Sequence, residues 1–247
     1  MVRQIFSLEN KKIIVTGAGS GIGRSTAIIA SKLGAAIIAL DINTTALEET
    51  RTLMCGDNHC FKTLDLTNSI EVEKVVKAIC DENIIDGLVH CAGISSRKPL
   101  NMLKREGFNK VMNINFYSFV DLVRLFSKRG RMREGGKIVV MSSISSVRGY
   151  KAKTEYCVSK AAVDAFVRCM ALELAPRKIC INSVMASEVL TPMAQKAKEM
   201  NLSDNNFETP LGPSKPEEVA SLIVFLLSDA TSTITGTALR IDGGACI

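Results

Sequence analysis

The sequence predicts an α/β fold, a doubly wound parallel sheet with helices on both faces, and three observations carry that prediction. Short apolar runs alternate with helix-period stretches along nearly the whole chain of 247 residues. A glycine-rich loop, Gly17-Ala18-Gly19-Ser20-Gly21-Ile22-Gly23, stands between the first such pair. An acid, Asp41, closes the second apolar run, 24 residues after Gly17. Repeated strand–helix units join parallel strands, and sheets of this kind bind ligands beyond the carboxyl ends of their strands.

Each element has its own reason. Lys11 to Thr16 is a short apolar run, read as a buried strand, and the stretch from Arg24 to Leu33 places Ala27, Ile28, Ala30 and Leu33 at helical period. Between them the glycines permit a tight turn and a close approach of backbone to a pyrophosphate, which then sits at the helix N-terminus. Ala35 to Leu40 is a second strand, and Asp41 at its end either accepts bonds from the adenosine ribose hydroxyls or caps the helix through Leu47. Strands follow at His59 to Leu64, Gly87 to His90, Lys137 to Met141, Ile179 to Val184 and Ala238 to Ile241. Helices are expected from about Ser69 to Cys80, Met102 to Lys128, Tyr156 to Ala175 (halted by Pro176) and Glu217 to Leu227. Thr16, Asp41, His90, Ser143 and Val184 then fall at carboxyl ends, where one cleft collects them. No repeat or linker divides the chain, so residues 1–247 are read as one domain.

Composition narrows the class. The chain is 47% hydrophobic and 23% charged, as in ordinary soluble globular proteins. No apolar run approaches the ~18 residues of a membrane span, and the first residues are too short and polar before Glu9 for a signal peptide, so a cytoplasmic protein is expected. Eight scattered cysteines fit buried free thiols better than disulfides. Cys55-Gly56-Asp57-Asn58-His59-Cys60 lacks a second ligand pair, and no metal is expected. The net charge of +6 is modest, and its basic run, Lys128 to Arg133, carries no aromatics. That argues against nucleic acid and leaves either a solvated helix end or a docking patch for an acidic partner or phosphate-bearing substrate.

The chemistry centres on Tyr156-Cys157-Val158-Ser159-Lys160, with Ser143 thirteen residues earlier. Tyr and Lys at i and i+4 share a helix face. An ammonium beside a phenol favours the phenolate and draws its pKa from about 10 toward neutrality. Such a Tyr can trade a proton in carbonyl/alcohol chemistry. Taken alone, the pair more readily describes a surface Lys capping an amphipathic helix. No Arg or Lys lies in the glycine turn before Gly23 or just after Asp41 to receive a 2′-phosphate, so NAD(H) is expected in preference to NADP(H).

In this order and at these separations, Thr16-Gly17-x-x-x-Gly21-x-Gly23, Asp65 in an Asp-x-Thr turn, Ala92-Gly93, Asn115, Ser143, Tyr156-x-x-x-Lys160, Asn182 and Asp242-Gly243-Gly244 resemble the short-chain dehydrogenase/reductase family over essentially the whole length. The resemblance implies a single-domain Rossmann-like fold with seven strands, assembled as a homodimer or homotetramer through the two long helices near 101–128 and 154–175. It implies that Tyr156 is the acid/base, that Lys160 lowers its pKa and holds the nicotinamide ribose, and that Ser143 bonds the substrate oxygen. Asn115 would hold a water linking Lys160 to solvent. Gly17, Ser20, Gly21 and Ile22 would line the pyrophosphate, Asp41 and Ile42 the ribose, Asp65 and Leu66 the adenine, and Val189 and Thr191 the carboxamide, with Ala92 and Gly93 also on the cofactor side.

Three departures stand out. His90-Cys91 replaces the family's usual Asn-Asn before Ala92-Gly93, and His90 either touches the cofactor or is satisfied by local backbone. Ala186-Ser187 replaces the usual Pro-Gly, loosening a turn under the nicotinamide. Ser145 and Ser146 follow the motif serine and either reach the substrate or serve only the loop. The implied activity is an NAD-dependent oxidoreductase interconverting a secondary alcohol and a ketone. The alternatives are a 3-oxoacyl-[acyl-carrier-protein] reductase, a sugar or polyol dehydrogenase, and a non-catalytic nucleotide-binding protein. Substrate identity is expected to lie in residues 94–100, 144–155 and 187–214, the last a lid with short helices; its mixed content, Leu190, Met193, Ala194, Ala197, Met200 and Phe207 against Lys196, Lys198, Glu199 and Asp204, suggests a partly apolar substrate.

Overall fold

The computed structural model describes residues 5–199 and 209–247. Seven strands form one parallel sheet in the order β3-β2-β1-β4-β5-β6-β7. They are β1 Lys12–Thr16, β2 Ala36–Asp41, β3 Cys60–Thr63, β4 Ile85–His90, β5 Met132–Ser143, β6 Cys180–Ala186 and β7 Ala238–Ile241. The chain winds outward from β1 to β3 and then returns to lay β4 on β1's other side, so the winding reverses between β1 and β4. The carboxyl ends of those two strands open onto the crevice where such sheets take ligands.

The strands are apolar runs because both faces are covered. Alternation sorts their side chains into two layers. Ile14, Ile38, Leu40, Leu88, Ile138, Val140 and Ile181 face the helices α3 (Ser69–Glu82), α5 (Ser118–Phe126) and α6 (Thr154–Leu174). Ile13, Val15, Ile37, Ala39, Val89, Val139 and Val184 face α1 (Gly21–Lys32) and α8 (Pro216–Leu227). Each fully buried Ile, Leu or Val stabilises the fold by about 1.5–3 kcal/mol. The remaining helices are α2 (Thr44–Leu53), α4 (Arg105–Met112) and α7 (Pro192–Glu199).

The structure corrects several expected boundaries. The segment read as one helix over 102–128 is a 3₁₀ turn at Leu100–Met102, then α4, a π turn at Asn113–Tyr117 and α5. An extra residue per turn at the π segment lets Asn115 point inward while both flanking helices keep their own apolar faces, a local irregularity common at functional sites. β6 runs on to Ala186, so that residue, not Val184, ends it beside Ser143. β5 starts five residues earlier than expected. The basic run Lys128 to Arg133 therefore links α5 to β5 and is no helix end: Arg131 donates to Leu125 O at 3.1 Å and Arg133 pairs with Asp86.

All eight cysteines are free: Cys180 is buried, Cys55 and Cys169 are exposed, and the other five are half-buried. Their positions in apolar stretches misled because those stretches present one side to solvent. In the 187–214 segment, helix α7 forms without a buried residue. Met200, Asp204 and Phe207 lie outside the described residues. Among the described residues no helix is long and apolar enough to cross a membrane.

Candidate active site

The glycine loop joins β1 to α1, and two of its glycines are required by contact. Gly17 has φ +66°, and a Cβ there would meet Ala92 N at 2.8 Å. At Gly23 a Cβ would fall 2.1 Å from Gly17 O, so the first turn of α1 presses directly on the loop. Ser20, the N-cap of α1, makes no side-chain cap bond, which leaves the first N–H groups of the helix facing the loop, a site suited to an anion. Thr191 closes over the loop, its Cγ2 being 3.1 Å from where a Cβ of Gly21 would stand. Val189 is held to Ser214 by a bridge, and Thr191 N donates to Val189 O at 2.7 Å.

Asp41 ends β2 with its carboxylate turned to this loop. Oδ2 accepts from Gly19 N at 2.9 Å and Oδ1 from Asn43 N at 3.0 Å. The cap of α2 is Asn43, whose side chain accepts from Ala46 N, so the capping alternative for Asp41 does not hold. Arg24 lies near, directly after Gly23. Its guanidinium is engaged by Gly19 O, Ala46 O and Glu49, and its Nε by Thr50 Oγ1. Ile42, beside Asp41, is 67% exposed and available as a surface for a flat ring or ribose. Asp65 accepts from both N and Oγ1 of Thr67, which makes the turn that presents Leu66. The glycine cradle, the open helix N-terminus and a carboxylate at the far side fit a dinucleotide: the loop residues would hold the pyrophosphate and Asp41 the adenosine ribose.

The reacting end lies beyond β4 and β5. Lys160, 5% exposed, donates from Nζ to Met141 O at 2.8 Å and stands 5.7 Å from the centre of the Tyr156 ring. Burial lowers its pKa to about 8, against the opposing pull of Cys91 and Asp164. Burial also raises the Tyr156 phenol above its ordinary value, while a hydrogen bond with the Ser143 side chain lowers it. The expected depression of Tyr156 is thus absent here: desolvation of a phenolate outweighs the ammonium, which is bonded to a β5 carbonyl instead. Ser143 also accepts from Ser145 N at 3.1 Å, which assigns the Ser145 backbone to orienting the motif serine. Ser146 Oγ and Ser187 Oγ are buried without a hydrogen-bond partner among the described residues.

Asn115 is fully buried in the π turn. Its Oδ1 accepts from Ile94 N at 2.8 Å, and Nδ2 donates to Ile94 O and Ser159 Oγ, each at 3.0 Å. A Cβ at Gly93 would lie 3.2 Å from Asn115 Oδ1 and 3.8 Å from Lys160 Nζ, so the glycine leaves those groups open to one another. Asn115's side chain therefore braces the strand end of β4 to α6. His90 takes partners distant along the chain, contrary to the local-backbone alternative: Nδ1 meets Thr16 Oγ1 at 3.0 Å and Nε2 meets Ser118 Oγ at 3.4 Å, the Ile114 backbone also bonds the ring, and the ring is stacked on Phe119. Burial, aided by the Lys160 charge, drives its pKa down to about 3. It laces β1 to α5 as a neutral ring.

The chain thus brings Ser143, Tyr156, Lys160 and Asn115 to one end of the sheet with the glycine loop and Asp41. Sequence reasoning missed Ser159 and Asp164, although Asp164 was legible from its i+4 spacing after Lys160 and Ser159 from its i+3 spacing after Tyr156. A cleft of about 1300 Å³ opens at the amino ends of β1 to β3, lined by residues such as Lys12, Ala36, His59 and Asn83. It holds none of the motif residues. There both ring nitrogens of His59 are engaged, Nδ1 by Ile37 N and Nε2 by Cys55 O.

Comparison with known proteins agrees with this geometry. Residues 17–246 match the family model described as Enoyl-(Acyl carrier protein) reductase. A 3-oxoacyl-[acyl-carrier-protein] reductase of Thermotoga maritima is 34% identical over 245 residues, covering 97% of this chain and 99% of that one. An NAD-dependent glycerol dehydrogenase of Listeria innocua is also 34% identical, covering 98% and 96%. Among solved structures, a short-chain type dehydrogenase/reductase from Mycobacterium ulcerans superposes with a TM-score of 0.86 at 28% identity, covering 97% of this chain and 90% of that one. The chain belongs to the short-chain dehydrogenase/reductase family and is an oxidoreductase acting on CH–OH groups with a nicotinamide cofactor, NAD(P)(H).

Proposed function

We propose that this chain is an NAD-dependent oxidoreductase that interconverts a secondary alcohol and a ketone, with Tyr156 as general acid/base. The observation that carries the proposal is the convergence of Ser143, Tyr156 and Lys160 beside a glycine cradle whose far side ends in a carboxylate. When bound, the nicotinamide supplies or accepts the hydride. The protein's own residues manage one proton and the substrate's position. Ser143 donates to the carbonyl oxygen, and Tyr156, kept protonated by burial, gives its phenolic proton to that oxygen. The Lys160 ammonium then stabilises the phenolate left behind, and in the alcohol-to-ketone direction it helps the phenol lose its proton. Asn115 fixes Ile94 and Ser159, and with them the distance between β4 and α6. Turnover of any member of a panel of simple ketones and polyols with NADH or NAD supports this reading. Tight NADH binding with no turnover on that panel would leave a nucleotide-binding protein without this chemistry.

NAD over NADP is supported by Asp41, whose charge repels a 2′-phosphate, and by Arg24, which Glu49 and two carbonyls hold away from that duty. Asp41→Ala is expected to reduce the preference for NADH over NADPH by about tenfold or more, since a lone charge at such a site is worth on the order of 1–2 kcal/mol. An unchanged ratio in a nicotinamide-fluorescence titration would overturn the ribose assignment. The relative that is an NAD-dependent glycerol dehydrogenase agrees with this reading. A second reading, 3-oxoacyl-[acyl-carrier-protein] reductase, draws on the relative of that name. It gains nothing from the Lys128 to Arg133 run, which leads into the first two residues of β5 and so lies at the opposite end of that strand from Ser143.

A further inference from the structure

Asp164 continues the row that Tyr156 and Lys160 begin. The three stand at i, i+4 and i+8 on α6, with neighbouring Cβ atoms about 5–6 Å apart. Asp164 is 6% exposed, and its Oδ1 accepts from Ser183 Oγ on β6 at 2.7 Å. Its Oδ2 is buried and has no hydrogen-bond partner among the described residues. A buried carboxylate satisfied on one side only is costly unless a cation compensates it. Lys160, one turn away, is such a cation.

The other titratable groups around Lys160 are neutral at ordinary pH. From the end of β4, burial pushes the Cys91 thiol up to about 12 and the His90 ring down to about 3. From α6, the Tyr156 phenol is held above its ordinary value. β5 and β6 offer the Met141 carbonyl and the Ser143 and Ser183 hydroxyls, and the π turn offers the Asn115 amide. Asp164 is the charged partner among them, and it lowers the energy of the ammonium form of Lys160.

We propose that Asp164 is a positioning residue that keeps Lys160 an ammonium beside Tyr156, by its buried charge and without touching substrate. The inference rests on the Tyr156/Lys160 reading above. The ammonium is present below its pKa near 8 and lost above it, so removing the Asp164 charge moves that loss to lower pH. Asp164→Asn keeps the shape and a partner for Ser183. Its ketone-reduction profile is expected to show the alkaline limb about one unit lower, so that the ratio of rates between about pH 8 and about pH 6 falls about fivefold. A uniform loss across pH, with the limb unmoved, would make Asp164 a structural residue only.

Stability supplies a readout independent of activity. Lys160→Met leaves the carboxylate uncompensated and is expected to lower the melting temperature, and adding Asp164→Asn to that variant is expected to raise it again. Additive destabilisation in the double variant would contradict the pairing. Lys160→Met that still turns over a ketone would refute the site reading itself. An inactive Lys160→Met with an unmoved limb in Asp164→Asn would refute only the role of Asp164.

Discussion

Tyr156→Phe is expected to lower ketone turnover by about 10²- to 10⁴-fold, the usual contribution of a positioned acid/base, while cofactor affinity changes little. The substitution removes one oxygen and keeps the ring, which packs beside Lys160. It deletes the oxygen that Ser143 bonds. The end of β4 offers no replacement donor: His90 is a neutral ring turned to Thr16 and Ser118, and the Cys91 thiol is held up to about 12. A loss confined to kcat, measured at saturating cofactor, marks an interaction made in the transition state. Residual turnover above about one per cent, the floor implied by that 10²-fold lower bound, would show that another group delivers the proton.

Gly23→Ala is expected to abolish most cofactor binding and to lower stability together. A Cβ at this position would sit 2.1 Å from Gly17 O, which is backbone and cannot swing aside. Either α1 or the loop must move, and overpacking of this kind costs about 1–3 kcal/mol or more. In a protein of this size each kcal/mol lowers the melting temperature by about 2–4 °C. The same shift spreads the N–H groups at the start of α1, so NADH affinity should fall by about two orders of magnitude if 3 kcal/mol of that strain falls on the cradle. Normal NADH affinity in Gly23→Ala, by fluorescence titration, would show that the loop tolerates the shift and that its backbone is not the cradle.

Much of the fold was legible because both sheet faces are covered, which writes strands as unbroken apolar runs. Ile13 to Val15 and Ile138 to Val140 are examples. The motif residues at strand ends were legible for the same reason, as Thr16, Asp41, His90 and Ser143 each end a strand. Spacing on one helix gave Tyr156 and Lys160. What the sequence concealed depends on burial and on contacts distant along the chain. The Tyr156 pKa direction needed to be weighed against desolvation, which no i, i+4 spacing reports. The π turn at Asn113–Tyr117 leaves no compositional mark, so residues 102–128 looked like one helix. His90 took its partners from Thr16 and Ser118, 74 and 28 positions away, where adjacency along the chain suggested its own backbone. Arg24, the first residue after the cofactor loop, is held by Glu49 and Thr50, contacts 25 and 26 positions away that only the fold shows.

The most direct test of the proposed NAD-dependent reaction is titration of the unsubstituted protein with NADH and with NADPH, followed by nicotinamide fluorescence. Binding of NADH at least about tenfold tighter than NADPH is the result expected if the carboxylate of Asp41 meets the adenosine ribose, a difference of about 1.4 kcal/mol. Tighter binding of NADPH, or binding of neither, would contradict it.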